Sequence, residues 1–216
     1  MLFELRHCSF SYHSKLVLDD ICLQIGTGES VAIVGQSGVG KSTLLNLLAS
    51  QHSANIAYCT QDRQLISGLN CYNNIYLGKL AQFGAIKNLF NILWPNSQAL
   101  QEIRAIAEQL SIDDKLQASV GKLSGGQQQR VAVARAFFQN RPIFLGDEPV
   151  ANLDSVKAQQ VLQVILERHQ SNVIALHDRD LALRYFDRII GLKQGKIVLD
   201  AAAADVSQQD LQQLYL

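Results

Sequence analysis

Gly35-Gln36-Ser37-Gly38-Val39-Gly40-Lys41-Ser42-Thr43 is a glycine-punctuated run that ends in a lysine and two hydroxyls. Its spacing fits G-x-x-x-x-G-K-[ST], the loop that cradles phosphates. Gly35, Gly38 and Gly40 let the backbone turn so that successive N–H groups face one concave point. A helix starting at Lys41 aims the positive end of its dipole at that point. Lys41 adds a charge for the β- and γ-phosphates, and Ser42 adds a hydroxyl for Mg²⁺. An apolar β-branched run, Val31–Val34, precedes the loop, and a helix-like segment, Lys41–Leu48, follows it. A glycine-rich turn that binds nothing has no need of that strand–loop–helix setting. The chain is therefore expected to bind a nucleoside triphosphate.

Ile143-Phe144-Leu145-Gly146-Asp147-Glu148 is an apolar strand ending in two carboxylates. In phosphate-loop ATPases such a strand lies beside the phosphate loop. Asp147 can then hold Mg²⁺ through its water shell, and one carboxylate suffices because Mg²⁺ keeps several waters. Regular alternation would point Glu148 away. It can polarise an attacking water only if the strand stops there, and Pro149 favours that stop. Alone, the pair reads equally well as a solvated acidic turn.

Leu123-Ser124-Gly125-Gly126-Gln127 opens another helix, with Ser124 and Gln127 at capping-box spacing. Gly125 and Gly126 cost helix stability but leave the helix N-terminus bare to a close phosphate. These residues fit a plain cap, a second phosphate site on one chain, or two sites on different copies sharing one nucleotide.

The elements that must position these residues read as follows. Leu2–Phe10 and Leu16–Ile25 are strand-like, with a turn at Gly26–Glu29, and Asn55–Thr60 is a short strand ending at Gln61. From about Asn70 to Leu116 the pattern turns helical, with Ala99, Ile103, Ile106, Ala107 and Leu110 on one face. A helix runs from near Ser124 to about Gln139. Then β and α alternate: strands at Pro142–Leu145, Asn172–Leu176, Arg188–Leu192 and Lys196–Leu199, and helices at Ser155–His169, Asp178–Tyr185 and Ser207–Leu214. That alternation means a mostly parallel sheet covered by helices.

The chain has 216 residues, 48% apolar and 18% charged, enough for one domain with a sizeable core. Lys+Arg and Asp+Glu are each 19, which argues against a broad basic surface for nucleic acid. Cys8, Cys22, Cys59 and Cys71 show no metal-ligand spacing, and buried reduced thiols are the expected state. The N-terminus lacks a signal-peptide pattern, and no apolar run approaches the ~20 residues of a membrane span. A role at a membrane would then require docking on another subunit.

The full set of motifs, in this order, resembles the ATP-binding cassette (ABC) family, from about Phe3 to Leu199. Leu123–Arg130 is similar to the family signature, which implies contact across a dimer with ATP held by the other copy's phosphate loop. Gln61 falls at the Q-loop glutamine, which implies a Mg²⁺ and water contact that also senses the membrane partner. Asp147 and Glu148 match the Walker B aspartate and the catalytic glutamate. Ala151-Asn152-Leu153-Asp154 resembles the D-loop that crosses between copies. His177, after Val173–Leu176, matches the switch histidine at the γ-phosphate; without that context it reads as structural. Tyr12 matches the aromatic that stacks on adenine, with Phe10 as its competitor.

The resemblance implies an α/β fold over one ABC ATPase domain, residues 1–216. A phosphate-loop core of mostly parallel sheet would carry a small N-terminal antiparallel β-subdomain and an inserted helical lobe at about 70–140. It implies ATP and Mg²⁺ as ligands, and hydrolysis coupled to transmembrane transport. The expected partners are a second copy, permease subunits and, indirectly, a substrate-binding protein, with no nucleic acid. The expected location is cytoplasmic, on the inner face of the membrane through the permease.

Asp-Glu-Pro-Val150, Leu176–Leu183 with Asp187–Leu192, and the segment after Gln61 resemble ATPase subunits of phosphonate-type importers. An exporter or lipoprotein-release ATPase is the alternative. A soluble ABC ATPase of DNA repair or translation is a further one, which the single cassette and the lack of a basic run disfavour. Three departures stand out. The Ser50–Ala54 connection is short, Gly146 replaces a usual alanine, and Asn152 replaces a small D-loop residue. The first implies a reduced β-subdomain. The segment Leu69–Trp94, with Leu77, Leu80, Phe83, Ile86, Leu89, Phe90 and Trp94, is expected to help receive a permease helix or to fill the lobe's core.

Overall fold

A computed structural model of the chain describes residues 1–82, 84, 91 and 94–215. The chain divides into two compact units. The first comprises Met1–Gln61, Pro142–Glu148 and Ile165–Leu216; the second comprises Asp62–Arg141 and Pro149–Val164.

The first unit contains both sheets. β1 (Phe3–Tyr12) and β2 (Lys15–Ile25) form a two-stranded antiparallel sheet. The other strands are β3 (Ser30–Val34), β4 (Ile56–Cys59), β5 (Ile143–Asp147), β6 (Ser171–Ala175), β7 (Arg188–Lys193) and β8 (Lys196–Ala202). They form one sheet in the order β4-β5-β6-β3-β7-β8. All its pairings are parallel except β7 with β8. Burial on both faces explains why β3, β5 and β6 read as near-continuous apolar runs. Phe3, Leu18, Ile33, Leu44, Leu145 and Val173 are wholly buried in one core that spans both sheets. Arg188 on β7 grips Asp200 on β8 through two nitrogens, at 2.6 and 2.8 Å, and Glu29 through a third contact at 3.0 Å. The bidentate fork clamps β7 to β8, and the Glu29 contact ties that hairpin to the turn before β3.

β6 lies between β3 and β5, so the strand of Asp147 does not pair with the phosphate-loop strand, yet its end lies beside the loop as expected, with Asp147 and Glu148 near the Lys41 ammonium. The order still serves the site. β4, β5, β6 and β3 are adjacent and parallel, and each delivers its C-terminal end to the same edge. In open parallel sheets ligands bind outside those carboxyl ends.

The second unit is helical. α2 (Cys71–Tyr76), α3 (Ser97–Gln109) and α4 (Gly125–Phe138) pack together, with Ile75, Ile103, Val131 and Phe137 wholly buried. α1 (Lys41–Gln51) belongs to the first unit, whereas α5 (Ser155–Arg168) begins in the second and ends in the first. α6 (Arg179–Tyr185) and α7 (Gln208–Gln213) complete the first unit. The helical region is broken rather than continuous: a 3₁₀ segment, Leu77–Gln82, follows α2. Phe83, Ile86, Leu89 and Phe90 lie outside the described residues. Leu80 is exposed and Trp94 is 70% exposed, while Leu77 is half-buried.

The thiols correct one expectation. Cys59 and Cys71 are buried, Cys8 is half-buried and Cys22 is exposed. Cys22 sits between buried Ile21 and Leu23, on the outward face of an alternating strand. No described helix is long and apolar enough to cross a membrane.

Candidate functional site

The phosphate loop leaves β3 and enters α1 through Gly40, at φ 113°. A Cβ at Gly40 would stand 2.8 Å from Leu18, so this position needs glycine for space as well as for conformation. α1 has no side-chain cap, unlike α2, α3 and α4, which are capped by Asn70, Asn96 and Ser124. No side chain from Gly40 takes up the N–H groups of its first turn, so an anion can accept from them. Lys41 is 4% exposed and donates through Nζ to the carbonyls of Gly35 and Gln36, at 2.8 and 3.0 Å. Its burial lowers its pKa, and the nearby Glu148 and Asp147 carboxylates counter that shift.

A cavity of about 260 Å³ opens on this loop. Ser37, Gly38, Gly40, Lys41, Ser42 and Thr43 line it, together with Tyr12, Gln61 and Glu148. Residues from the N-terminal sheet, the loop after β4 and the end of β5 thus meet around the phosphate loop. Tyr12 is 51% exposed, and Phe10 stands edge-on to it with ring centroids 5.0 Å apart. Tyr12, and not Phe10, lines the cavity. Gln36 turns elsewhere: its side chain donates to the Tyr215 carbonyl at 2.9 Å. Val39 packs beside Gly35 rather than lining the cavity.

Asp147 ends β5 and is 4% exposed. Its Oδ1 is buried with no protein hydrogen-bond partner. A buried carboxylate oxygen without a donor fits a hydrated divalent cation, so the residues present suit Mg²⁺.

Glu148 resolves the alternation problem. Its N–H still donates to the Ala175 carbonyl at 3.1 Å, but its backbone turns to φ 54°. The strand stops at Asp147, and the left-handed turn brings Glu148 to the cavity on the same side as the loop. His177, just beyond β6, places Nε2 2.7 Å from Glu148 Oε1. His177 does not line the loop's cavity. It lines a larger one of about 420 Å³ with Asp178, Arg179, Asp180 and glutamines of α7, which offers no phosphate loop.

The signature residues lie in the second unit. Ser124 and Gln127 form the capping box at both bonds: Ser124 N–H donates to Gln127 Oε1 at 2.9 Å, and Gln127 N–H donates to Ser124 Oγ at 3.3 Å. A Cβ at Gly125 would meet nothing nearer than 3.9 Å, whereas one at Gly126 would stand 2.8 Å from the Asn152 carbonyl. Gly126 is thus required by packing, and Gly125 is not. Asn152 adopts φ 63°, a conformation asparagine tolerates well, which accounts for its presence in place of a smaller residue. Asp154 caps α5 by accepting from the Lys157 N–H at 2.9 Å.

Two arginines were not singled out by the sequence. Arg63 reaches Gln129 and Gln128 at 2.8 and 3.2 Å, and Arg135 donates to the carbonyls of Gln64 and Arg63. They fasten the chain just after Gln61 to α4. The only signal was their nearness to the Q-loop and signature motifs.

A phosphate loop on a central parallel strand, an uncapped helix behind it and carboxylates at the end of a parallel strand of the same sheet define a phosphate-loop nucleotide hydrolase. The family model described as ABC transporter matches residues 18–151, and the chain belongs to that family. It is an ABC ATPase. A phosphonates import ATP-binding protein, PhnC, of Rhizobium johnstonii is 33% identical over 243 residues, covering 99% of this chain and 86% of the relative. PhnC 1 of Pseudomonas savastanoi pv. phaseolicola is 36% identical over 241 residues, covering 98% and 89%. Among solved structures, the dimer of MJ0796, a bacterial ABC transporter cassette, superposes with a TM-score of 0.80 at 26% identity, over 93% of this chain and 98% of that one. The same cassette in a post-hydrolysis state bound to ADP and Pi gives 0.77, also at 26% identity and with the same coverage.

Proposed function

We propose that this chain is the ATPase subunit of a solute importer of the phosphonate type, working as an ATP-bridged homodimer beneath a permease. The observation that carries the ATPase part of the reading is the single cavity shared by Tyr12, the phosphate loop, Gln61 and Glu148. Likeness to the PhnC proteins over nearly the whole chain supports the importer part.

In this reading Tyr12 stacks on the adenine and the Gly35–Thr43 backbone holds the phosphates. Lys41 swings its ammonium from the Gly35 and Gln36 carbonyls to the β- and γ-phosphates, where preorganised charge stabilises the transition state. Ser42, Gln61 and Asp147 would hold Mg²⁺, which supplies charge neutralisation at the phosphate oxygens. Glu148 accepts the proton of the attacking water, and His177 fixes the Glu148 side chain and reaches the γ-phosphate. Ser124, Gly125, Gly126 and Gln127 of one copy, with Asp154, face the nucleotide held by the other. The capping box uses Ser124 Oγ and Gln127 Oε1 only as acceptors, so the Ser124 O–H, the Gln127 amide N–H groups and the exposed backbone at Gly125 all remain donors for a phosphate. ATP bridges the copies and hydrolysis cuts the bridge, so nucleotide binding shifts a closed–open equilibrium. The chain then sits at the cytoplasmic face of the membrane through its permease.

The test is reconstitution with a phosphonate-type permease and its substrate-binding protein. ATP hydrolysis in proteoliposomes should rise when the binding protein carries an alkylphosphonate. Stimulation by an outward-moving lipid or lipoprotein instead, with none by a loaded binding protein, would favour the exporter alternative.

A further inference from the structure

The β1–β2 pairing has three register shifts, of which two are staggered bulges flanking the Cys8–Ile21 pair. Between the Leu5–Leu23 and Cys8–Ile21 pairs, Arg6 and His7 together oppose Cys22. Between Cys8–Ile21 and Phe10–Leu18, Asp19 and Asp20 together oppose Ser9. His7 and Asp20 adopt φ 48° and 53°. Left-handed residues other than glycine are uncommon, and bulges with that conformation ordinarily use glycine. The two bulges turn His7 and Asp20 toward Cys22 on the exposed face. One ligand atom from each of the three lies within 4.8 Å of the others.

The pairwise geometry is specific. His7 Nδ1 is 2.8 Å from Asp20 Oδ1. The His7 N–H donates to Cys22 Sγ at 3.3 Å. A surface ion pair between side chains 80% and 64% exposed adds little stability and gives the thiol no role.

Imidazole, carboxylate and thiolate form a donor set for a borderline-soft divalent ion. Mg²⁺ and Ca²⁺ prefer oxygen ligands throughout, whereas sulfur with nitrogen suits Zn²⁺. Zn²⁺ bonds of ~2.0–2.3 Å at tetrahedral angles set donor atoms roughly 3.4–3.6 Å apart. His7 Nδ1 and Asp20 Oδ1 stand closer than that spacing and the Cys22 thiol lies within 4.8 Å of both, so exposed side chains need only a small adjustment. We propose that His7, Asp20 and Cys22 form a three-ligand Zn²⁺ site on the outer face of the N-terminal sheet, with the fourth position open to solvent. Bound there, the ion ties β1 to β2 across both bulges, so metal occupancy and the stability of this sheet are linked. Tyr12 lies five positions further along β1, roughly 16 Å of strand at ~3.3 Å per residue, so the ion is distinct from the one expected at the nucleotide.

Titration of the nucleotide-free protein with Co²⁺, a spectroscopic stand-in, tests the site. One ion per chain should bind, with tetrahedral d–d bands and a thiolate-to-cobalt charge-transfer band that Zn²⁺ abolishes by displacement. Calorimetry with Zn²⁺ then compares variants. Cys22→Ser should remove the charge-transfer band, whereas Cys8→Ser should keep it. His7→Asn and Asp20→Asn keep a residue tolerant of the left-handed backbone while removing the ligand. Each should weaken Zn²⁺ binding by more than ~10-fold, the least that loss of an outer-shell partner costs. At ~100 times its dissociation constant, Zn²⁺ should raise the wild-type melting temperature by roughly 5–11 °C and leave Cys22→Ser unmoved. An unaltered ATP-induced melting shift checks that each variant is folded. A Co²⁺ spectrum without the charge-transfer band overturns the proposal. So does undiminished Zn²⁺ affinity in the Cys22, His7 or Asp20 variant.

Discussion

His177 Nε2 and Glu148 Oε1 lie 2.7 Å apart, joining the ends of two neighbouring parallel strands. The contact exists because β5 stops at Asp147 and Glu148 turns left-handed while its N–H stays bonded to β6. Glu148 is thereby held by its backbone on one side and by the imidazole on the other.

Glu148→Gln keeps the side chain's shape but removes its charge and basicity. Hydrolysis should fall by ~10²–10⁴, the usual worth of a positioned general base. ATP binding should survive, because Lys41, Ser42, Asp147 and the loop backbone are untouched. The variant should run as a dimer on size-exclusion chromatography with ATP and Mg²⁺, where the wild type returns to monomer after turnover. Adding Ser124→Arg should abolish that dimer while each copy still binds nucleotide. Wild-type hydrolysis by Glu148→Gln would sink the base assignment, and a persistent dimer in the double variant would sink the shared site.

The two signature glycines should separate packing from recognition. Gly126→Ala drives a methyl against the Asn152 carbonyl and should lower the urea midpoint of unfolding, by an amount worth about 1–3 kcal/mol. Gly125→Ala has room for its methyl, and alanine favours a helix, so stability should hold or rise. Its ATPase activity should nevertheless drop, since the methyl stands where a phosphate would approach. Full activity in Gly125→Ala would mean that this helix start is a cap and nothing more.

His169 supplies a pH test. It is 6% exposed, contacts Phe144 and donates through Nδ1 to the Ile165 carbonyl at 3.0 Å. Burial depresses its pKa from 6.5 to about 4. The folded state therefore binds fewer protons than the unfolded state between those values, and stability falls as pH drops through that window. Above pH ~6.5 the contribution is fully present; by pH 4.5 the loss should reach about 2–3 kcal/mol. Denaturant midpoints for wild type and His169→Gln, taken at pH 7.5 and 4.5, isolate the effect. If acidification shifts both proteins equally, His169 is not the titrating group.

The chain's local grammar made much of this structure readable. β3, the loop and α1 follow from apolar runs and glycine spacing, and Ser124, Asp178 and Ser207 mark helix starts as N-caps. The positions of Tyr12, Gln61 and Glu148 around one loop came from motif order, which the sheet order then accounts for. What escaped was set by tertiary geometry. The bulges of β1 and β2 turn at histidine and aspartate, residues that carry no turn signal comparable to glycine or proline. Cys22 counted as apolar in composition, yet the alternation around Ile21 and Leu23 puts it outside. β6 intervenes between β3 and β5, though it follows both in the chain, because sequence does not dictate strand order. The amphipathic face of α3 was plain, with Ile103, Ile106 and Ala107 buried, but the assignment of residues 149–164 to the helical unit depends on contacts that no periodicity encodes.

On the proposed role of Glu148 as general base, its left-handed backbone sets activity against durability at a single position. A side chain with a Cβ is disfavoured there by roughly 1–2 kcal/mol, which glycine would recover. A chain optimised for folding alone would place glycine or asparagine after Asp147. Retaining glutamate means that stability has been forgone for a carboxylate at that point. The same reasoning fixes how the residue should be probed: a β-branched replacement would report backbone strain and lost chemistry together, whereas glutamine isolates the chemistry.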